Sequence, residues 1–184
     1  MPGAAVKRGE RVTLRVLERE DIPFCQRGYA DPEIRHPTGN PKARTQSQVE
    51  QRYEDDGHTT FLICLDDDGG EHDQPGDDSS RPIGSVSVKE WGRTPTIGYW
   101  LVPEVHGNGY GTEAVELTLD YVFRVYEAPT VKAKAFDFNS ASRALLESLG
   151  FTQEGRLRKD SFIDGEYRDS IVYGLLREEW QQRT

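Results

Sequence analysis

The stretch HGNGYG (106–111) joins a strand pattern to a helix pattern and constrains the fold more than any other part of the sequence. Residues 94–104, TPTIGYWLVPE, have the β-branched and aromatic content of a strand, and residues 110–126 have the apolar spacing of a long amphipathic helix. Three glycines occupy alternate positions of the turn: Gly107, Gly109 and Gly111. The converging N–H groups of such a turn, in front of a helix N-terminus, suit a diphosphate. A plain glycine-rich βα turn has the same sequence, so the motif alone leaves both interpretations open.

Two common nucleotide motifs do not fit this turn. A Walker P-loop needs G-x-x-x-x-G-K-[ST], and here the lysine is missing and the glycines are too closely spaced. A dinucleotide fingerprint needs G-x-G-x-x-G, whereas this turn has G-x-G-x-G. An anion bound at this turn is therefore not expected to be the nucleotide of a P-loop or of a dinucleotide-binding fold.

Hydrophobic periodicity along the rest of the chain predicts a single mixed α/β domain over residues 1–184, because this length supports one well-buried core. Strand patterns lie at 11–18, 59–65, 82–91, 94–104, 130–138, 151–163 and 167–176. Helix patterns lie at 19–30, from 47 onward, at 110–126 and at 140–149. We therefore expect a mostly antiparallel sheet of about seven strands with four helices, in which strands 94–104 and 130–138 are parallel across the long helix.

Capping residues mark two of these helices. The sequence SQVE (47–50) matches a capping box, in which Ser47 caps the helix and Glu50 reaches back. Asn139 is expected to cap the helix at 140–149, and Gly150 follows it where a left-handed residue is favoured.

The segment DDDGGEHDQPGDDSSR (66–81) joins two predicted strands. Seven acids, three glycines and a proline among its sixteen residues predict a solvated, flexible loop. It lacks the D-x-D-x-D-G spacing and the closing glutamate of a calcium loop. His72 stands alone among carboxylates, so we predict no metal site there.

Charge and hydropathy limit the partners. The chain has 32 acidic and 23 basic residues and a net charge of −9, which disfavours nucleic acid. Only six lysines and as many as 15 aspartates suit a salt-rich cytoplasm, although a GC-rich genome would also favour arginine over lysine. Apolar runs of at most seven residues and a polar N-terminus predict no membrane span and no signal peptide, so we expect a cytoplasmic location and no membrane partner. Cys25 and Cys64 have the spacing of reduced thiols rather than of a metal site.

The order of elements, with HGNGYG in the place of a Q/R-x-x-G-x-G/A motif, resembles the GNAT superfamily of acetyl-CoA-dependent N-acetyltransferases. Residues 97–115 and 139–158 resemble its ribosomal-protein N-terminal acetyltransferase (RimJ/RimL-like) branch. A set of C-terminal residues does so too: Tyr167, Asp169, Tyr173, Leu175, Leu176, Glu179 and Trp180. The resemblance covers residues 11 to 180, but spermidine, aminoglycoside and antibiotic-tailoring enzymes share the pattern, so it leaves the acceptor open.

The resemblance implies that acetyl-CoA binds as a co-substrate, without a metal, at the turn residues His106, Gly107, Asn108, Gly109, Tyr110, Gly111 and Thr112. His106 replaces the usual Gln or Arg, a tolerable change because backbone N–H groups hold the phosphates. Leu101 and Val102 fall where the family offers backbone groups to the pantetheine arm and an N–H to the thioester carbonyl, which would stabilise the oxyanion. Asn139 matches a position that hydrogen-bonds the cofactor, and capping its own helix is an equally good role.

The residue that protonates the departing thiolate differs from the superfamily pattern. Many members have a tyrosine four residues before the glycine of the GF pair, and this chain has Leu146 there. In the ribosomal branch a serine three residues after the asparagine is the proposed acid, and Ser142 matches it. We predict that Ser142 is the acid; a serine on the helix surface is the alternative.

The general base is harder to locate. The carboxylates that related enzymes use align with Thr96 and Ser161, and neither is a useful base. Asp160, beside Ser161, is the nearest substitute, although a neighbouring strand residue points to the opposite face. Tyr99 and Glu90 are weaker candidates, and a chain of water molecules is the leading alternative.

Together these observations predict an N-acetyltransferase that moves an acetyl group directly to a primary amine, with a protein N-terminal α-amine as one acceptor. One alternative is a non-catalytic acyl-CoA-binding sensor. Another is acetylation of a small-molecule amine such as a polyamine or an antibiotic. The acceptor pocket is expected from residues 31–58 and 159–168, and the sequence leaves monomer and homodimer both open.

Overall fold

Eight strands form one continuous sheet in the computed structural model, which describes residues 3–40, 42–54, 58–66, 80–91 and 94–183. The strands are β1 (Ala5–Arg8), β2 (Val12–Val16), β3 (His58–Asp66), β4 (Ser80–Trp91), β5 (Thr94–Leu101), β6 (Thr130–Phe136), β7 (Thr152–Ile163) and β8 (Glu166–Leu176). They are ordered β1-β2-β3-β4-β5-β6-β8-β7, and every neighbouring pair is antiparallel except β5 and β6. The predicted mixed sheet with one parallel pair is therefore confirmed.

Helices cover both faces of this sheet. They are α1 (Ile22–Ala30), α2 (Pro32–Arg35), α3 (Gln46–Glu54), α4 (Tyr110–Val125), α5 (Ser140–Ser148) and α6 (Arg177–Gln181), with 3-10 turns at Arg19–Asp21 and Pro103–Val105. One apolar cluster joins α4 and α5 to the central strands, and another joins α1 and α3 to Leu62 and Trp100. Because side chains alternate along β5, Trp100 faces α1 while Tyr99 faces α4 and α5.

The sequence undercounted the short elements. The described residues contain eight strands where about seven were expected, and six α-helices where four were expected. The additional strand, β1, has four residues, and the additional helices α2 and α6 have four and five. Segments of this length contain too few residues to show a period of 2 or 3.6.

The capping box predicted at Ser47 and Glu50 is wrong by two residues. The Gln48 N–H donates to Thr45 Oγ1 at 3.3 Å, and the Thr45 N–H donates to Gln48 Oε1 at 3.0 Å, so α3 begins at Gln46. The sequence offers T-x-x-Q and S-x-x-E in overlapping positions, and only the first is used. Glu50 instead forms an ion pair with Arg19. The Asn139 cap is confirmed, because its Oδ1 accepts the Ser142 N–H at 3.1 Å.

The predicted acidic loop at 66–81, including His72, falls outside the described residues over 67–79. Its two ends are strand residues, since β3 and β4 are paired as far as Asp66 and Ser80. Among the residues that the structure does describe, no helix has the length and apolarity needed to cross a membrane.

The parallel pair is the feature that creates room for a site. Only Thr96 with Lys132 and Ile97 with Ala133 are paired between β5 and β6, and beyond Ile97 the two strands part. On its other edge β5 stays paired with β4 as far as Leu101. A gap therefore opens in the middle of the sheet, at the end of β5 that leads into the glycine turn.

Candidate active site

A cleft of about 870 Å³ opens where β5 and β6 part. Its lining is formed by the glycine turn, one face of α5, parts of β5, β6 and β8, and five residues between Glu33 and Gly39. The site residues predicted from sequence that line it are Leu101, His106, Gly107, Gly109, Tyr110, Gly111, Thr112, Asn139 and Ser142. The fold thus brings the turn and the proposed acid into one space.

The three glycines of the turn are required for two different reasons. Gly107 and Gly109 have φ values of +79° and +80°, a left-handed conformation that a side chain would strain. A Cβ on Gly111 would lie 3.2 Å from Leu145 Cδ1 and 3.3 Å from Leu101 Cδ1, which is a close approach. The turn leads directly into the sixteen-residue α4, whose first N–H groups have no intrahelical partner. A backbone cradle at a helix N-terminus fits the diphosphate of CoA.

Arg11 supports the turn from behind, a role that no sequence pattern indicated. Its Nη1 donates to the Asn108 carbonyl at 2.8 Å, and its Nε donates to Glu113 Oε2 at 2.9 Å. Its guanidinium also lies over the Tyr110 ring, 5.3 Å from the centroid. Because the two partners are about a hundred residues away in the chain, no local pattern could have predicted these contacts.

Glu113, in the first turn of α4, fastens the helix to the start of β2. Its Oε1 accepts the N–H groups of Arg11 at 2.7 Å and Val12 at 3.2 Å. Burial alone would raise the pKa of this carboxyl, but these two N–H groups and the Arg11 guanidinium outweigh it and leave the pKa below its ordinary value. Glu113 is thus a structural anion rather than a proton-transfer group.

Three of the residues predicted to contact the cofactor use backbone or side-chain groups within the protein instead. The Val102 N–H donates to the Ile83 carbonyl at 2.8 Å, so it is not free to bind a thioester oxygen, which corrects the prediction for that group. Since neighbouring strand residues direct their N–H groups to opposite edges, the Leu101 N–H faces the gap.

The His106 and Asn108 side chains bind within the protein. His106 Nε2 lies 3.0 Å from the Leu101 carbonyl oxygen, which can only accept a hydrogen bond, so the ring connects the turn to β5. Asn108 likewise folds back, donating from Nδ2 to the Val105 and His106 carbonyls at 3.1 and 3.3 Å.

Ser142 has a partner that the sequence did not reveal. Its Oγ lies 2.9 Å from the hydroxyl oxygen of Tyr99, and both side chains line the cleft. Burial raises the pKa of Tyr99 to about 12, although the hydrogen bond with Ser142 works in the opposite direction. Tyr99 therefore stays protonated at neutral pH, which suits a proton donor better than the base considered from the sequence. Leu146, at the superfamily's tyrosine position, is fully buried in the core.

Asp160 does not line the cleft, and two residues engage its carboxylate. Lys134 Nζ donates to its Oδ2 at 2.8 Å, and Ser170 Oγ donates to the same atom at 2.6 Å. These hydrogen bonds, the one from Lys134 first, lower the pKa of Asp160 below its ordinary value. Lys134 and Ser170 line the cleft, whereas Asp160 is not among its lining residues. A carboxylate with a lowered pKa is a weak proton acceptor, so this geometry does not favour Asp160 as the base.

Neither cysteine is placed for covalent catalysis. Cys25 and Cys64 are buried and form no disulfide, and neither lines the cleft. Burial raises the pKa of the Cys25 thiol to about 11, so it stays a thiol at neutral pH. Among the described parts of the chain, no group of three or more His, Cys, Asp or Glu could hold a metal ion.

A parted strand pair beside a glycine turn at a helix N-terminus fits the class of enzymes that use CoA thioesters, and comparison with known proteins gives the family. Residues 11–152 match the family model described as "Acetyltransferase (GNAT) domain". The match covers more than half of the chain, which therefore belongs to the GNAT family. It is an N-acetyltransferase whose co-substrate is acetyl-CoA.

Three relatives illustrate the range of the family. The chain is 29% identical over 181 residues to the SPbeta prophage-derived uncharacterized N-acetyltransferase YokL of Bacillus subtilis, covering 94% of each protein. It is 36% identical over 89 residues to "Putative ribosomal N-acetyltransferase YdaF" of the same organism, covering 48% of this chain and 49% of that one, so it spans about half of that relative. The crystal structure of spermidine N-acetyltransferase from Vibrio cholerae in complex with CoA and spermine has the same fold, with a TM-score of 0.80, 23% identity, and 94% and 99% of the two chains covered.

Proposed function

We propose that this protein transfers the acetyl group of acetyl-CoA directly to a primary amine bound in the same cleft, and that the Ser142 and Tyr99 hydroxyls protonate the departing sulfur. The observation that carries the proposal is the 2.9 Å contact between these two hydroxyls, beside the glycine turn and at the gap between β5 and β6. Acetyl-CoA supplies the acetyl group, and CoA leaves as the free thiol.

Each part of the cleft has a distinct task in this proposal. The N–H groups of the turn bind the diphosphate, and Arg11 keeps the turn in shape through the Asn108 carbonyl. The Leu101 N–H, directed into the gap, stabilises negative charge that develops on the carbonyl oxygen during attack. Asn139 positions Ser142 by capping α5.

Protons move in two directions during the reaction. The attacking amine loses a proton and the departing sulfur gains one. Ser142 donates its hydroxyl proton to the sulfur, and Tyr99, protonated because burial raises its pKa to about 12, restores the proton to Ser142. Water in the cleft then returns a proton to Tyr99, so that the proton lost by the amine balances the proton gained by the sulfur. The amine proton leaves through a chain of water molecules, since Asp160 is already paired with Lys134 and Glu33, the one acid in the described lining of the cleft, is exposed to solvent on α2.

A protein N-terminal α-amine is the first candidate acceptor, in line with the RimJ/RimL-like motifs and with the name of YdaF. A polyamine is the second candidate, because spermidine N(1)-acetyltransferase of Vibrio cholerae is 25% identical to this chain over 179 residues. The third hypothesis is a protein that binds acyl-CoA without turnover, and it predicts that CoA binds but that no amine is acetylated.

The test is thiol release from acetyl-CoA by the purified protein, with spermidine, an aminoglycoside and short peptides bearing a free N-terminus as acceptors. Amine-dependent release that falls in Ser142→Ala supports the proposal. Calorimetric binding of CoA without release for any amine would support the non-catalytic alternative. We also propose a cytoplasmic location, which cell fractionation tests. Light scattering distinguishes a monomer from a homodimer.

A further inference from the structure

A second pocket, of about 520 Å³, meets the active-site cleft from the face of the sheet that carries α1 and α3. It lies between α3 and the strands β4 and β5, and it shares Ile97 and Gly98 with the cleft. These two residues mark the place where β5 parts from β6. The pocket therefore reaches the gap from the face opposite Ser142 and the glycine turn, and it offers space for the remainder of an acceptor whose amine enters the gap.

The pocket is basic, although the chain as a whole is acidic. Its described lining includes Arg44, Arg52 and Lys89 and contains no aspartate or glutamate. The remaining lining residues are neutral or histidine: Gln48, Gln51, His58, Ser87, Thr96, Ile97 and Gly98. In a protein of net charge −9, three cations around one pocket form a local exception to the surface field.

The two guanidinium groups converge on a neutral atom. Arg44 Nη1 and Arg52 Nη1 both donate to Asn40 Oδ1, at 2.9 and 3.0 Å, and Asn40 is buried. Arg52 also lies over the Tyr29 ring, 5.5 Å from its centroid. Neither arginine forms an ion pair with any acid in the described chain. Each guanidinium has five N–H donors, so most of these donors remain available to a ligand.

We propose that the pocket binds a carboxylate of the acceptor, which makes the preferred substrate an amine that also carries negative charge, such as an acidic peptide N-terminus. The fixed fork of an arginine pairs with a carboxylate through two parallel hydrogen bonds, and Lys89 adds a third positive charge at the rim. The same charges repel a polyamine. This inference rests on the proposed function, because it assigns the acceptor of the same site.

Three tetrapeptide amides with free N-termini test the charge preference: alanine, two variable residues, then alanine, the variable pair being glutamate, glutamine or lysine. For the wild-type protein we expect kcat/KM for the glutamate peptide to exceed that for the glutamine peptide about tenfold, as one hydrogen bond to a charged group contributes. The lysine peptide and spermidine should be the poorest acceptors. Equal values for the glutamate and glutamine peptides, or a preference for spermidine, would overturn the inference.

Arg52→Gln should remove most of the preference for the glutamate peptide, because kcat/KM for that peptide should fall far more than kcat/KM for the glutamine peptide, which offers no charge to the arginine. Arg124→Gln, an exposed arginine on the other face, is the matched control and should change neither value. If Arg52→Gln disturbs folding through Asn40, the exposed Lys89→Gln replaces it, with a smaller loss in the same direction. If a variant lowers kcat/KM equally for the glutamate and glutamine peptides, the pocket does not recognise the charge of the acceptor.

A binding measurement separates this inference from the proposed function. Calorimetric titration of the glutamate peptide into CoA-saturated protein needs no turnover. Binding that weakens in high salt and is lost in Arg52→Gln supports the basic pocket, even if no amine releases thiol and the proposed function fails. Absence of binding to the wild-type protein, while the glutamine peptide is acetylated, overturns the inference and leaves the proposed function intact.

Discussion

The hydroxyl oxygens of Tyr99 on β5 and Ser142 on α5 lie 2.9 Å apart, although 43 residues separate them in the chain. We predict that Ser142→Ala lowers kcat roughly 10- to 100-fold with little change in the KM for acetyl-CoA, at or below the lower end of general acid catalysis. The effect is modest because a thiol with an ordinary pKa near 8.5 leaves fairly well unaided. Steady-state thiol release measures it.

The control for this variant lies on the same helix. Ser140→Ala changes an exposed residue of α5 that does not line the cleft, and it should keep the wild-type kcat. Full kcat in Ser142→Ala between pH 6 and 9 would show that solvent protonates the sulfur.

Tyr99→Phe should lower kcat by a similar factor and should add little to Ser142→Ala in the double variant, because the two hydroxyls act in one chain. Its raised pKa of about 12 means that Tyr99 stays protonated below that value. The wild-type profile of kcat against pH should thus show no alkaline loss from this group up to pH 10. Tyr126→Phe, which loses a comparable hydroxyl contact with Thr59 at 3.0 Å, is the matched control. A double variant that multiplies the two losses would mean that the hydroxyls act independently.

Gly109→Val should weaken CoA binding severely, because a β-branched residue is strained at φ +80° and its Cβ would lie 3.2 Å from the Arg11 guanidinium. Gly165→Val places the same side chain at φ +83°, in the hairpin between β7 and β8, and separates strain from binding. It should lose stability yet bind CoA normally. His106→Gln should bind CoA almost as the wild type does, since backbone groups form the cradle. Calorimetry decides, and unchanged affinity in Gly109→Val would refute the diphosphate-binding turn.

Glu113→Gln should lower thermal stability at pH 7 and flatten its dependence on pH. The folded protein holds the pKa of Glu113 below its unfolded value, so the ionised group stabilises the fold above that value and the stabilisation is lost as the pH falls through the folded pKa. The melting temperature of the wild type should therefore drop more between pH 6 and pH 3 than that of the variant. Glu116→Gln, at an exposed site on the same helix, should behave like the wild type. If the two variants gave parallel curves of melting temperature against pH, Glu113 would not contribute to the loss of stability in acid.

Asp160→Asn tests whether this carboxylate is the base. Because Asp160 is already engaged by Lys134 and Ser170, we expect a loss of kcat/KM below about threefold and an unchanged pH profile, small beside the 10²-fold or larger effect typical of a base. A selective loss of activity at low pH, where the amine carries its proton most firmly, would instead assign the base to Asp160.

Local sequence predicted the parts of the site that depend on local geometry. Alternate glycines between a strand pattern and a helix pattern predicted a turn in front of a helix N-terminus, and the turn does lead directly into α4. The positive φ of Gly107 and Gly109 is the backbone geometry that makes this turn. Asn139 followed by a helix pattern predicts the cap, and the cap in turn places Ser142 on the first turn of α5. Motifs in the right order then identified the family, which the comparisons confirm.

Contacts between residues that are far apart in the chain could not be predicted from the sequence. Tyr99 meets Ser142 only because β5 and α5 approach each other in the folded chain, and Arg11 contacts Asn108 although they are 97 positions apart in the sequence. The Val102 N–H could not be excluded as a thioester donor before its pairing with Ile83 was known. Local competition explains the remaining error, because T-x-x-Q and S-x-x-E begin two residues apart and only one can start α3.

The parting of β5 and β6 after Ile97 also determines where the backbone is accessible to solvent exchange. Thr96 and Ile97 have paired neighbours on both edges, whereas the amides that follow toward Leu101 and face the gap have none from β6. A ligand that carries its own amide groups, as the pantetheine arm does, completes the missing ladder in the way that an added strand would. Slowed deuterium uptake on CoA binding should therefore concentrate in the last residues of β5, with the sheet itself acting as the sensor of an occupied site.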